Sequence, residues 1–262
     1  SMLFAEARLT PPDRSLTGRV TSVVTGDWAV ASVGPAAESD AAQAFARAAL
    51  GQDVLIYVHG YRETFETAAV GAAQLSDGIA FRGSTAIFTW PSGGGTFDYG
   101  YDRESALWSR DAFEDLLMAL VRSQSGGRVH IVAHSMGTLI TLETLRMVRA
   151  VGGDAAMAHI GAVVLAAPDV DIDLFTRGVE RLGQDARKIT VISATNDRAL
   201  ALSSRLAGGV ARAGAAERSR LAALGVRVAD ASGFGSGIIN HDLFLTNAEV
   251  KQVVARAIER AA

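Results

Sequence analysis

Two runs in this chain, Val54-Leu55-Ile56-Tyr57-Val58 and Ala162-Val163-Val164-Leu165-Ala166, are apolar at every position. A strand with one face in water alternates apolar and polar side chains, whereas a strand covered on both faces has no need to. Such runs are the mark of a parallel sheet sandwiched between helices. The rest of the chain agrees. Short β-branched runs near 19–24, 28–33, 53–58, 84–89, 128–133, 160–166, 187–193 and 225–230 alternate with Ala-rich amphipathic stretches. These fall near 38–50, 64–80, 104–123, 136–150, 171–183, 197–212 and 246–260. The alternation predicts an α/β fold, with a mostly parallel central sheet of about eight strands flanked by helices. The first two strands, separated by Thr25-Gly26-Asp27, read as an antiparallel hairpin at one edge.

Local punctuation supports these elements. Thr64 ahead of Glu66-Thr67 offers an oxygen cap and early acidic charge. Asp171 and Asp173 stand at another helix start, where carboxylates suit the free N–H groups and the helix dipole. Neither an internal repeat nor a long linker divides the 262 residues, so 1–262 reads as a single domain. Pro91-Ser92-Gly93-Gly94-Gly95 is a loop within it.

Composition narrows the partners. With 25 Lys+Arg against 28 Asp+Glu and 49% hydrophobic residues, the chain is neither disordered nor charged for nucleic acid as its main partner. It has no cysteine, which excludes disulfides, thiolate catalysis, zinc–thiolate sites and iron–sulfur clusters. No apolar run reaches the roughly 20 residues of a membrane-spanning helix. Ser1–Glu6 lacks the cationic start and apolar core of a secretory signal, which favours a cytoplasmic location for the sequence as given. Ser1 ahead of Met2 has the look of a cloning remnant, so an upstream signal could have been removed.

Ligands of an open α/β sheet gather beyond the carboxyl ends of its strands. There, Arg128-Val129-His130-Ile131-Val132-Ala133 is followed by His134-Ser135-Met136-Gly137 and a helical pattern. Small residues two positions either side of Ser135 let the backbone pass through a sharp turn that sets the hydroxyl on a helix N-terminus. Ala133 stands where the strict form of this motif has glycine. A serine nucleophile needs a base, and the base an orienting acid; on a fold of this kind they follow in the chain order serine, acid, histidine. Of five histidines only His159 and His241 follow Ser135. His159 falls just before a strand, on the wrong rim, which leaves His241 in the loop 239–243 as the base. Asp197 and Asp169 both follow strands between Ser135 and His241, and each could instead cap a helix. The loop His59-Gly60-Tyr61-Arg62-Glu63 lies upstream. Two backbone N–H groups, those of Tyr61 and Met136, could hold the oxyanion that forms when an acyl carbon is attacked. His59 reads as a structural histidine holding this loop.

Other stretches carry weaker signals. Gly93-Gly94-Gly95 lacks the Lys and Ser/Thr of a phosphate loop. Asp169-Val170-Asp171-Ile172-Asp173 lacks the glycine turn and distal Glu of a calcium loop and reads as helix capping. His130 and His134 straddle a strand and a turn, and so do not share a helix face as zinc ligands would. The Arg-rich stretch 205–220 reads as a solvated helix face, with contact to an anionic substrate or partner as the other reading.

Taken in order, these pieces resemble the α/β-hydrolase fold superfamily. The finer resemblance is to a bacterial branch known mainly as a domain of unknown function. It rests on HGYRETFETA, FTWPSGG, DRESALWSRDAFEDLL, VHIVAHSMG, VVLAAPDVD and SATNDRAL, and runs from about Asp53 to His241. It implies Ser135 as nucleophile, His241 as base and an Asp as acid, with no metal and no organic cofactor. On that fold the acid most often follows the second strand after the serine strand, which selects Asp197 over Asp169. The expected activity is that of a carboxylesterase acting on a small-molecule ester through an acyl-enzyme. An acyltransferase using the same triad, or a catalytically silent binding protein, are the alternatives. Only the helix at 171–183 lies between the strands ending at Ala166 and Ser193, so no large cap domain is expected. A shallow cleft walled by 90–101 and 203–240 would then favour short and medium acyl chains.

Overall fold

The computed structural model describes residues 5–11, 29–35, 41–61, 63–92, 99–123, 127–193, 204–205, 209–216, 218–232 and 245–261. The elements run β1 (Ala5–Thr10), β2 (Ala29–Pro35), α1 (Ala41–Ala48), β3 (Val54–Val58), α2 (Phe65–Gly78), β4 (Ser84–Phe88), α3 (Tyr99–Arg122) and β5 (Val129–His134). They continue with α4 (Gly137–Met157), β6 (Ile160–Ala166), α5 (Ile172–Leu182), β7 (Ile189–Ser193), α6 (Arg218–Ala222), β8 (Arg227–Asp230) and α7 (Ala248–Ala261).

The central sheet has the order β4-β3-β5-β6-β7-β8, and every pair in it is parallel. It therefore holds six strands among the described residues, where the sequence predicts about eight. The difference lies at the start of the chain. β2 does form an antiparallel pair, but with β1, in a separate two-stranded sheet. The stretch 19–24, expected to be its partner, lies outside the described residues. The strand signal for β1 is present in the sequence, because Ala5, Ala7 and Leu9 alternate with Glu6, Arg8 and Thr10.

Both faces of the sheet are covered at its centre, which is why β3 and β6 show no polar alternation, whereas the edge strands β4 and β8 carry polar and partly exposed residues. One core joins Val54, Ile56 and Ile131 to Phe45 of α1, Phe113 and Leu117 of α3, Ile140 of α4 and Phe175 of α5. The other joins Leu55, Tyr57 and Val132 to Leu75 of α2 and Val254 of α7. Neighbouring residues of one strand thus feed opposite cores.

Helix ends follow the caps read from the sequence. Thr64 and Thr67 form a reciprocal capping box on α2, and the Asp171 carboxylate accepts from the Asp173 and Leu174 N–H groups at the start of α5. α3 begins five residues before the expected 104. α4 passes the expected end at 150, interrupted at Gly153, where φ is 57°. The expected helix at 197–212 is not helical at its C-terminal end. Gly209 has φ 85°, and Arg212 forms an antiparallel bridge with Asp171. Between β6 and β7 stand α5 and the short 3₁₀ segment Gly183–Lys188, with no inserted cap domain.

α3 offers a paired stability test. Phe113 is fully buried, its ring stacked on Phe88 at 4.6 Å. Phe113→Ala is expected to lower the unfolding free energy by about 3–5 kcal/mol in urea titrations. On the same helix Trp108 is 91% exposed, and Trp108→Ala should change it by no more than about 0.5 kcal/mol.

Candidate active site

β5 ends in a strained turn. The Ser135 N–H makes a last ladder bond to the Ala166 carbonyl at 2.9 Å, and then the chain reverses with Ser135 at φ 52°. That is the left-handed region, which costs a residue with a side chain about 1–3 kcal/mol. Bonds to its carbonyl hold the conformation. The Ser135 oxygen accepts from the Thr138 N–H at 3.1 Å, the Thr138 hydroxyl at 2.6 Å and the Asp169 N–H at 3.2 Å. Helix α4 starts at once, with Met136 as its N-cap. A Cβ at position 137 would lie 2.3 Å from the His59 carbonyl oxygen, and a Cβ at position 60 would lie 2.9 Å from the Ser135 Cβ. Glycine at both places lets the end of β3 and the serine turn touch. Ser135, Met136 and the loop carrying Tyr61 are thereby brought to one rim of the sheet, and Ser135 itself is buried.

The loop after β3 is held from beneath. The His59 Nδ1–H donates to the Gly60 carbonyl at 2.9 Å, and its Nε2 accepts from the Trp90 N–H at 3.1 Å. The Trp90 indole donates to the His59 carbonyl at 3.0 Å, with the rings stacked 5.1 Å apart. Burial pushes the His59 pKa below its ordinary value. With both nitrogens bonded and the ring neutral, His59 is the structural residue that the sequence suggested. Trp90, expected on a cleft wall, is instead buried behind His59.

Glu63 has a larger part than the sequence reading gave it. Its carboxylate accepts from the Tyr57 hydroxyl at 2.9 and 3.0 Å and from the Gly60 N–H at 3.0 Å. The His134 Nδ1 stands 3.8 Å from it. Burial alone would raise this carboxyl, but His134, the Gly60 N–H and His59 outweigh it and hold the pKa below the ordinary value. A signal did exist: Tyr57 is the only polar-tipped side chain in β3, and a buried phenol needs a partner.

A second buried group lies beyond β6. Arg212 Nε is 3.2 Å from Asp169 Oδ1, and both residues are buried, 3% and 6% exposed. The Tyr99 hydroxyl donates to Asp169 Oδ1 at 3.2 Å and accepts from Arg212 Nη2 at 2.9 Å. The Tyr99 ring meets the Tyr61 ring edge-on at 5.9 Å. Arg212 belongs to the stretch expected as a solvated helix face, and its burial corrects that reading. Its segment runs antiparallel to 168–172, through Ile172 N–H to Ala211 O, Ala213 N–H to Val170 O and Gly214 N–H to Pro168 O, whereas Arg218 and Arg220 are exposed on the helix α6 as expected.

Asp197 and His241 lie outside the described residues. His159 sits where expected, before β6 on the opposite rim, its carbonyl accepting from the Val129 N–H. His130 accepts the Ala162 N–H on Nδ1 at 3.0 Å, and its Nε2 faces Asp53 at 3.6 Å. Burial lowers its pKa despite that carboxylate. Among the described residues, no three His, Asp or Glu side chains converge as a metal site, and no helix is long and apolar enough to cross a membrane.

The sequence matches a family model over residues 36–257, that of an alpha/beta hydrolase of unknown function (DUF900). No curated protein matches it. Similar solved structures include an uncharacterized protein from Bacillus cereus, 12% identical with a TM-score of 0.50, covering 94% of this chain and 67% of that one. An esterase from Pyrobaculum calidifontis is 14% identical with a TM-score of 0.44, covering 98% and 86%. A predicted CIB-like hydrolase from Thermoplasma acidophilum is 14% identical with a TM-score of 0.44, covering 97% and 99%. At 12% identity the likeness to the Bacillus cereus protein speaks to the fold alone.

Two of the buried histidines, His59 and His130, set an acid response. Burial lowers the pKa of His59 and His130 in the folded state, so the unfolded chain binds protons that the folded chain refuses. The stability they contribute is complete above the unfolded value of about 6.5 and is lost as pH falls below it. Urea midpoints should therefore be lower at pH 5.5 than at pH 7.5. Equal midpoints would show that the two rings accept protons without cost.

Proposed function

The chain belongs to the alpha/beta hydrolase family of unknown function (DUF900), and from that premise we propose that it is a serine hydrolase cleaving small carboxylic esters. Ser135 attacks the ester carbonyl while His241 takes its proton, and Asp197 orients the imidazole. The N–H groups of Tyr61 and Met136 hold the oxyanion. The alcohol leaves, and water activated by His241 cleaves the acyl-enzyme.

The observation that carries this reading is Ser135 in the left-handed region at a strand-to-helix turn, pressed against Gly60 with no space for a Cβ between them. Strain of this kind is kept where chemistry needs a side chain presented at a fixed point. Three further features support the roles. The Gly60 N–H donates to Glu63 and so does not compete as an oxyanion donor. His59 has both ring nitrogens bonded and does not compete as the base. Asp169 is paired with Arg212, which favours Asp197 as the acid.

A fluorophosphonate probe is expected to label the wild-type protein, and Ser135→Ala should abolish both labelling and hydrolysis of p-nitrophenyl esters with melting temperature unchanged. Undiminished labelling of the alanine variant would remove the reading. In an ester panel, acetyl and butyryl groups should turn over faster than palmitoyl, because the described residues between β6 and β7 hold no cap domain to build a long acyl tunnel.

The pH profile tests the base. Neutral His241 is required, so kcat/KM should fall through a single ionisation as pH is lowered from 8 to 5. A flat profile from pH 5 to 8 would exclude His241.

A further inference from the structure

Segments beyond four strands, together with the start of α3, meet at one buried ion pair. Asp169 follows β6, and Arg212 lies in the segment after β7. Tyr99 opens α3 and bonds to both, and its ring supports Tyr61 in the loop after β3. The turn after β5 joins through the backbone, since the Asp169 N–H donates to the Ser135 carbonyl at 3.2 Å. A buried ion pair is a poor source of stability, because desolvating two charges consumes most of what their attraction returns. The Tyr99 hydroxyl, donating to Asp169 and accepting from Arg212, makes the junction directional and so fixes how the segments that carry it sit together.

We infer that the Asp169–Arg212 pair, with Tyr99 bonded to both, is an interlock that positions the Tyr61 loop against the Ser135 turn. Asp169 is on this account a positioning residue and not the triad acid. The inference rests on the serine-hydrolase reading. An oxyanion donor displaced by a fraction of an ångström stabilises the transition state less while leaving ground-state binding nearly intact. The interlock thus acts on kcat more than on KM.

The test is a double-mutant cycle of Asp169→Asn, Arg212→Gln and their combination, with Tyr99→Phe as a variant that keeps both charges. On p-nitrophenyl acetate, each charge variant should lose roughly 10- to 100-fold in kcat with KM little changed. The double variant should fall no further than the worse single, and the acidic limb of kcat/KM should stay in place. Tyr99→Phe should lower kcat and the affinity for a trifluoromethyl ketone by the same factor. Such a ketone forms a hemiketal whose oxyanion occupies the same donors, so a purely structural role would not link the two losses. If instead Asp169→Asn lost about 10⁴-fold, moved the acidic limb downward, and combined additively with Arg212→Gln, Asp169 would be the acid and the interlock would be overturned. Wild-type kinetics in Tyr99→Phe would overturn it equally, and that variant decides alone should the charge variants not fold. Failure of the serine-hydrolase reading is separately visible, as probe labelling that survives Ser135→Ala.

Discussion

No room for a Cβ exists at either position 60 or position 137, and the architecture of the rim follows from that contact. β3 and β5 are parallel neighbours in register, Val58 opposite Ala133, so both run out at the same level of the sheet. The chain leaving β3 must turn past His59 and Gly60 while the chain leaving β5 turns through Ser135 into α4. Two turns can occupy one place only if one gives up its side chain at each point of closest approach. The left-handed serine is the cost of that crowding, and the buried apolar strands on either side offset it.

Two kinds of force divide the labour. Within the sheet, burial of Ile56, Ile131, Val164 and their helix partners is non-directional and fixes which layers meet. At the rim, directional bonds take over. His59 with Trp90, Glu63 with Tyr57 and Gly60, and Asp169 with Arg212 and Tyr99 each join segments that the sheet alone leaves free to shift. Low local dielectric strengthens such bonds and makes their loss costly. Glu63 and His59 both bond to Gly60, the glycine in contact with the serine turn, so the loop is held through the residue whose position matters most.

What the sequence reveals follows the range of the interaction involved. β3 and β6 are legible because burial on both faces writes itself into every residue of the run. The serine turn is legible because its small residues, Ala133 and Gly137, sit within two positions of Ser135. The caps at Thr64 and Asp171 are legible for the same local reason. Arg212 is not: an Arg-, Ala- and Gly-rich stretch has the composition of a solvated helix, and nothing in it points to a carboxylate beyond a different strand. The pairing of β1 with β2 goes unread because a Gly-Asp turn signal beside β2 outweighs the alternation at Ala5–Thr10. Asp197 and His241, both inferred from chain order, lie outside the described residues, so the roles given to them rest on the serine turn.

A charged pair at this place does something that an apolar plug of the same volume would not. Apolar contacts tolerate sliding by fractions of an ångström, whereas a carboxylate that accepts from a phenol, itself bonded by the guanidinium paired with that carboxylate, does not. Asp169 joins the two halves of the rim through different atoms: its backbone N–H reaches the Ser135 carbonyl, and its side chain reaches Arg212 and Tyr99. A change confined to that side chain leaves the bond to the serine turn intact and releases the segments opposite it. The strained turn and the loop facing it are therefore set by separate bonds from one residue, so each can be loosened without the other.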